Sequence, residues 1–185
     1  GSLVVFHGAE TNPWRANVFI YDRGTKVLTR LTDGNDDSHS AVISANNRYV
    51  AFYSEATDLV PNDTNTGTDT FVFDRETETF ERVSVASNGT QGLFNELDHE
   101  GNVGYPGISA DGRYVVFMSK ASNLVDNDTN GKRDIFVHDR ESGTTERVSI
   151  GNNGEQGTYD SEWPDISQDG RLVAFYSRSG NFVPG

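Results

Sequence analysis

Short apolar runs, each closed by turn residues, recur along the chain. Leu3-Val4-Val5-Phe6, Tyr49-Val50-Ala51-Phe52, Tyr114-Val115-Val116-Phe117 and Leu172-Val173-Ala174-Phe175 are apolar at nearly every position. A strand with one face in water alternates apolar and polar residues, whereas an unbroken run of four to eight is the signature of a strand covered on both faces. Gly, Asn, Asp, Ser and Thr fill the segments between the runs, and these residues punctuate tight turns. The pattern predicts an all-β chain with many short strands and no room for long helices.

The runs belong to a longer repeat. Ile108-Ser109-Ala110-Asp111-Gly112-Arg113-Tyr114-Val115-Val116-Phe117-Met118-Ser119 recurs as Ile43-Ser44-Ala45-Asn46-Asn47-Arg48-Tyr49-Val50-Ala51-Phe52-Tyr53-Ser54, and again from Ile166 to Ser177. A second element follows as Asn17-Val18-Phe19-Ile20-Tyr21-Asp22-Arg23, Asp69-Thr70-Phe71-Val72-Phe73-Asp74-Arg75 and Asp134-Ile135-Phe136-Val137-His138-Asp139-Arg140. A third closes the unit as Thr29-Arg30-Leu31-Thr32, Glu81-Arg82-Val83-Ser84 and Glu146-Arg147-Val148-Ser149. Each unit therefore reads as four strands: one ending in Ile-Ser, a tight turn through Asp-Gly or Asn-Asn, two apolar strands, and a hairpin into the last. The spacing between equivalent phenylalanines, Phe6, Phe52, Phe117 and Phe175, is 46, 65 and 58 residues. The variation falls in the loop before the second element and in the link between units, longest from Leu93 to Gly104.

Tyr105-Pro106-Gly107-Ile108-Ser109-Ala110-Asp111-Gly112-Arg113 and Trp163-Pro164-Asp165-Ile166-Ser167-Gln168-Asp169-Gly170-Arg171 resemble the Pro-x-x-Ser-x-Asp-Gly-Arg lead-in of the TolB-type propeller repeat. The resemblance covers nearly the whole chain; Ala41 replaces the proline and Asn46-Asn47 the Asp-Gly in one unit. It implies a β-propeller made of four-stranded antiparallel blades, a sheet whose two faces are covered by its neighbours. It also implies use as a protein docking platform, a peptidase cap or a domain of a surface protein, and so an extracellular, cell-surface or periplasmic setting. The chain reads as one propeller segment, residues 1–185, with units at about 1–37, 38–92, 93–157 and 158–185. Three to four blades are present, incomplete at both ends: the first unit lacks its innermost strand and the last holds only two. Propellers typically close with about 4 to 8 blades. The strand around Trp163–Ser167 or around Leu3–Phe6 is therefore expected to pair with another copy or with further sequence.

Charge narrows the partners. Fifteen Lys and Arg against 28 Asp and Glu give a net charge of −13, the wrong sign for nucleic acid or anionic lipid. There is no cysteine, which removes disulfides, thiolate metal sites and Cys nucleophiles. No apolar run reaches the length of a membrane-spanning helix.

The loop Asp126-Asn127-Asp128-Thr129-Asn130-Gly131-Lys132-Arg133-Asp134 places oxygen side chains at alternate positions, followed by Gly and a further Asp. Calcium takes six to eight oxygen ligands, and such a loop supplies several of them from Asp126, Asp128, Asn130 and Asp134, with the backbone carbonyl near Lys132 as one more. The preceding unit carries Asp63, Asn65 and Asp69 in the same alignment, with Pro61 in place of Asp126, which predicts a weaker site. The same side chains also suit Asx-turns that hold a loop with no ion. Asp33, Asn35, Asp36 and Asp37 read as a solvated turn.

The pairs Asp22-Arg23, Asp74-Arg75 and Asp139-Arg140, with Arg30, Arg82 and Arg147, recur in register and so read as structural. His7, His39, His99 and His138 show no ligand spacing. No nucleophile elbow or phosphate loop is present, which points away from an enzyme in these residues. Trp14, Tyr159 and Trp163 leave carbohydrate stacking open against burial between blades. Asn62, Asn88 and Asn127 head glycosylation sequons by pattern. The reading is a non-catalytic binding or structural module of a secreted or surface protein, stabilised by calcium and in contact with other chains or with its own copies. The alternatives are an accessory propeller of a hydrolase or polysaccharide lyase, and a periplasmic docking platform.

Overall fold

The computed structural model describes residues 2–11, 14–93 and 103–183. The link from Leu93 to Gly104 and the end of the chain therefore lie largely outside the described residues, and of Trp14 only the backbone is described. The described residues form strands joined by turns. Strands β1 (Leu3–Thr11), β2 (Trp14–Asp22) and β3 (Leu28–Arg30) make a three-stranded sheet in that order. Strands β4 (Ser38–Ile43), β5 (Tyr49–Ser54), β6 (Asp69–Asp74) and β7 (Thr79–Arg82) make a four-stranded one, and β8 (Val103–Ile108), β9 (Tyr114–Ser119), β10 (Asp134–Asp139) and β11 (Thr144–Arg147) make another. The last two, β12 (Ser161–Ile166) and β13 (Val173–Ser177), pair with each other. Every pairing is antiparallel. The expected blades and strand counts are all present. The first and last strand of each sheet has one side without a strand partner among the described residues, β1 and β12 included. Among the described residues no helix is long and apolar enough to cross a membrane.

Alternation within each strand explains why the sheets stack. In the β4–β7 blade, Val50, Phe52, Phe71 and Phe73 point toward Val18 of the preceding sheet. Their neighbours Ala51 and Val72 point the other way, against Val115 and Ile108 of the next sheet. Val116, Met118, Ile135 and Val137 repeat the arrangement against Ile166, Val173 and Phe175. Phe52–Phe71 and Phe117–Phe136 stack with centroids 5.8 Å apart in both blades. Fully burying a Val or Phe contributes about 1.5–3 kcal/mol, so each interface is held by several such side chains rather than by any one.

Contacts between sheets gather on β1, β4, β8 and β12, which marks the propeller-axis side. The innermost strands share a bulge, with register shifts between His39/Val42, Gly104/Gly107 and Glu162/Asp165. At each bulge one non-glycine residue has a positive φ: Ser40 at 50°, Tyr105 at 48° and Trp163 at 53°.

The Asp-Gly turn is built the same way in each unit. Ser109 Oγ donates to Asp111 Oδ1 at 2.6 Å, and Arg113 N donates to the same oxygen at 3.0 Å. Ser44 with Asn46, and Ser167 with Asp169, repeat the 2.6 Å bond. Backbone bonds link turn to turn, Asn46 N to Ala110 O at 3.1 Å and Ala110 N to Gln168 O at 2.8 Å.

Gly112 lies at φ 80°, and a Cβ there would meet Tyr49 Cδ2 at 2.0 Å. Gly170, at φ 74°, sits on Tyr114 in the same way. The equivalent residue one blade earlier is Asn47, at φ 63°. By repeat position the preceding sheet carries Leu3 where the next two carry Tyr49 and Tyr114. Gly112→Ala combines a strained φ with overpacking, each about 1–3 kcal/mol. It is expected to lower the melting temperature by roughly 4–24 °C at about 2–4 °C per kcal/mol. Asn47→Gly should shift it by less than about 2 °C on the same scale. Thermal denaturation followed by circular dichroism measures both.

Candidate functional site

The two Asp/Asn loops begin where a blade's second strand ends and return at the first residue of its third, so their last carboxylates, Asp69 and Asp134, start β6 and β10. Both are fully buried, at 1% and 0% exposure. Ser149 Oγ donates to Asp134 Oδ1 at 2.6 Å and Asn130 Nδ2 to Asp134 Oδ2 at 2.9 Å. Ser84 and Asn65 do the same for Asp69 at 2.5 and 3.0 Å.

A guanidinium stands between the carboxylates. Arg147 Nη1 is 3.1 Å from Asp128 Oδ1 and 3.5 Å from Asp134 Oδ2. Arg82 Nη1 is 2.8 Å from Asp63 Oδ1 and 3.5 Å from Asp69 Oδ2. The Asp63 contact is charge pairing off the hydrogen-bond direction, since Oδ1 has no hydrogen-bond partner, and Nε of both arginines is also buried without one. Gln156 completes the loop: its Oε1 accepts from Thr129 N and Asn130 N at 3.1 Å, and its Nε2 donates to Asn127 O at 2.6 Å. Gln91 bonds Thr64 in the equivalent place.

Of the residues singled out by spacing, Asp128, Asn130 and Asp134 are thus brought together, as are Asp63, Asn65 and Asp69. Asp126 is exposed, and Lys132 enters through its backbone N–H, which donates to Asn130 Oδ1 at 2.9 Å. Among the described residues no group of three or more His, Cys, Asp or Glu is placed to hold a metal ion. An arginine nitrogen lies 2.8–3.5 Å from the two carboxylates of each loop, so a divalent cation there would meet its repulsion. The arginines were read from the repeat as structural; their role as partners of these particular carboxylates was not, because the pairing joins residues across a blade.

Burial raises Asp69 from its ordinary 3.8 to about 6, against the opposing pull of Ser84 and Arg82. Burial also raises Asp63 and Asp128. The Asp-Arg dipeptides behave in the opposite way. Arg48 makes a bidentate pair with Asp74 at 2.9 and 2.7 Å, and Arg113 with Asp139 at the same distances. These bonds lower Asp74 to about 2 and hold Asp139 well below the usual carboxylate range. Arg140, the second residue of its dipeptide, crosses to the neighbouring blade. It bonds Glu81 Oε2 at 2.8 and 2.6 Å and lies over the Tyr49 ring, 4.4 Å from its centroid. It also donates to Gly112 O at 2.7 Å.

Histidines that sequence spacing left unconnected meet at the axis side. His7 and His39 rings lie 5.1 Å apart, His39 and Tyr53 5.4 Å, and Ser40 N donates to His7 Nδ1 at 3.4 Å. Repeat alignment holds the signal, since it places His7 on a second strand and His39 on the first strand of the next blade. Tyr105, 50% exposed, projects nearby from the bulge of β8. Tyr159 and Trp163 are each 58% exposed, and Trp163 packs on Tyr176 at 5.4 Å. His138 is buried, bonds Thr145 Oγ1 at 2.8 Å and is lowered by burial; His99 lies outside the described residues. Asn35, Asp36 and Asp37 are tied into turns by bonds to Thr57, Asp58 and Ala16.

These titrations predict a stability maximum in mild acid. A carboxylate raised by burial loses stability as pH rises through its folded value, so Asp69, Asp63 and Asp128 favour folding more at pH 4–5 than at 7. The depressed pair, Asp74 and Asp139, contributes above about 3.8 and loses that contribution as pH falls toward 2. The melting temperature should rise on going from pH 7.5 to about 5 and fall below about 3.5; a monotonic fall from pH 7.5 downward would contradict it.

No protein-family model matches the chain, and no curated protein matches it either. Solved structures do. TolB from Acinetobacter baumannii is 15% identical, with a TM-score of 0.62 over 97% of this chain and 36% of that one. The structure of a TolB protein from Agrobacterium tumefaciens is 19% identical, with a TM-score of 0.57 over 96% and 56%. The tricorn protease is 14% identical, with a TM-score of 0.59 over 94% of this chain and 14% of that one. This chain spans about a third to a half of the length of the TolB structures it matches. The thirteen strands among the described residues, in stacked antiparallel sheets that superpose on part of each of these propellers, show that the chain has a TolB-like β-propeller fold.

Proposed function

We propose that the chain is a non-catalytic protein-contact module, a propeller segment of a secreted, surface or periplasmic protein. Its charged residues hold the blades, and its non-repeating residues meet a partner. The observation that carries this reading is the in-register recurrence of the ion networks. Arg48–Asp74 matches Arg113–Asp139 at 2.7 Å, and the Arg82 loop matches the Arg147 loop in partners, at 2.8 against 3.1 Å to the first carboxylate and 3.5 Å to the second in both. Residues repeated in every unit serve the repeat. His7 and His39 are not repeated, and they share the axis side with Tyr53 and the exposed Tyr105, a large side chain at positive φ. The test is capture of a partner by the immobilised chain and by Tyr105→Asp. Loss of capture without loss of melting temperature supports the reading, and turnover of peptide or polyuronide by the purified chain overturns it.

A second reading has the propeller flanking a catalytic domain outside these residues. It is favoured by structural neighbours named as enzymes, among them prolyl endopeptidases and an oligogalacturonate lyase from Vibrio parahaemolyticus. Carbohydrate contact belongs with that reading, through the exposed rings of Tyr159 and Trp163.

In the Asp/Asn loops we take the guanidinium, in place of calcium, as the charge that neutralises the carboxylates. Breaking a buried ion pair by removing one partner costs about 3–5 kcal/mol. Arg147→Ala should therefore lower the melting temperature by roughly 6–20 °C. A chelator should leave the unaltered chain where it was, while added calcium should stabilise Arg147→Ala, whose Asp128 and Asp134 have lost their cation. A chelator-induced fall in the unaltered chain would restore the calcium reading.

A further inference from the structure

The chain carries Asn-Gly at three places, Asn88-Gly89, Asn130-Gly131 and Asn153-Gly154. Asparagine is a thermolabile residue, and a glycine after it leaves the next backbone nitrogen open to approach its side-chain amide. The three dipeptides are identical, and the structure separates them. Asn88 and Asn153 occupy the same turn in successive units, just after a blade's last strand. Gly89 N donates to Ala86 O at 2.8 Å and Gly154 N to Gly151 O at 2.9 Å, so the nitrogen is held equally in both. Both dipeptides are exposed, and nothing lies within 4 Å of a Cβ built on either glycine, which leaves room for a ring to close.

The side chains differ. Asn88 Oδ1 accepts from Thr90 N at 2.9 Å, and its Nδ2 has no partner among the described residues. Asn153 Nδ2 donates to Glu155 Oε1 at 2.9 Å and Asn153 N to Glu155 Oε2 at 3.1 Å, so a carboxylate lies against that amide. Asn130 is half-buried, with Nδ2 tied to Asp134 Oδ2 at 2.9 Å and to Gly157 O at 3.2 Å.

We propose that Asn88 is a site of spontaneous modification, where water converts the asparagine to aspartate and isoaspartate. This goes beyond the protein-contact reading and does not rest on it. Gly89 N gives its proton to solvent hydroxide and bonds to Asn88 Cγ; the Cγ–Nδ2 bond breaks, and Nδ2 takes a proton from water and leaves as ammonia. A water molecule then opens the succinimide, giving aspartate by adding at one carbonyl and isoaspartate at the other. Negative charge gathers on Oδ1 as the nitrogen adds, and a donor already aimed at that atom stabilises it. At Asn88 the donor is Thr90 N, whereas at Asn153 the Glu155 carboxylate opposes the same charge. Asn130 Oδ1 has a donor in Lys132 N, but its Nδ2 is retained by two acceptors, and the loop must open to release it.

The turn joins two contacts. Ser87 Oγ accepts from Thr145 N of the next blade at 2.9 Å, and Gln91 Nε2 donates to Thr64 Oγ1 beside the Asp63 loop at 2.7 Å. Isoaspartate lengthens the main chain between these anchors and disturbs the bridge from Val85 to Gln91, so the modified chain is less stable.

The test is incubation of the 185-residue chain, made without glycosylation, in slightly alkaline buffer, both folded and in urea. Peptide mass spectrometry and isoaspartate methyltransferase labelling follow each site. In the folded chain Asn88 should convert about tenfold faster than Asn153, a difference of about 1.4 kcal/mol in barrier, and Asn130 should be slowest. In urea the three rates should converge. Glu155→Gln should bring Asn153 toward the rate of Asn88. Asn88→Ser keeps an oxygen for Thr90 N and should hold its melting temperature on incubation, while that of the unaltered chain falls as isoaspartate accumulates. Equal rates at Asn88 and Asn153 in the folded chain overturn the proposal. So does an excess at Asn88 that persists in urea, a rate at Asn153 indifferent to Glu155→Gln, or an equal fall in melting temperature for Asn88→Ser.

Discussion

Each sheet of this protein is apolar on both faces, and neither face can be left in water. Phe52 and Phe71 look one way while Ala51 and Val72 look the other, and all four are fully buried because a neighbouring sheet lies on each side. From that constraint follow the stacking of the blades, the need for turns that match at every interface, and the repetition of the residues that make those turns. A blade is stable only as a member of a row, and stability is shared across interfaces.

Charge is organised around the same requirement. Arginine is used in three ways: bidentate to an Asp within a blade, stacked on a tyrosine between blades, and buried between two carboxylates under a loop. The first two lie near the surface, where an ion pair contributes little by itself. Their value is positional, since the planar guanidinium fixes the Asp-Arg corner against the turn of the same blade and the ring of the one before. The third is buried, with two carboxylates to one cation, and burial is what chiefly pushes Asp69 upward. Such loops are costly to keep ionised, and their hydrogen bonds to Ser84, Ser149, Gln91 and Gln156 offset that cost by leaving few lone pairs unmet.

Strand positions were legible in the sequence, because a repeat aligned with itself shows which residues are equivalent. That Gly112 and Gly170 rest on tyrosine rings became visible only with the structure, while the repeat alone places Leu3 where the next two sheets carry Tyr49 and Tyr114. The loop chemistry was legible in part. Alternating Asp and Asn residues declare a cluster of oxygens, but not what neutralises it, and Arg147 reaches Asp128 from a strand 19 residues further on. The His7–His39 contact was hidden for the same reason: it joins two blades, and nothing in local spacing records it.

The chain of backbone bonds from Asn46 to Ala110 and from Ala110 to Gln168 has an evolutionary consequence. It ties the three sheets that carry this turn to one another at one end of the propeller through peptide groups, so a residue inserted in the middle turn would break the register of two neighbours at once. At the opposite end the loops differ in length from unit to unit and answer only to their own blade. The molecule therefore has a floor that tolerates little change in length and a roof that tolerates much, and new surfaces for recognition can accumulate on one side without disturbing the other.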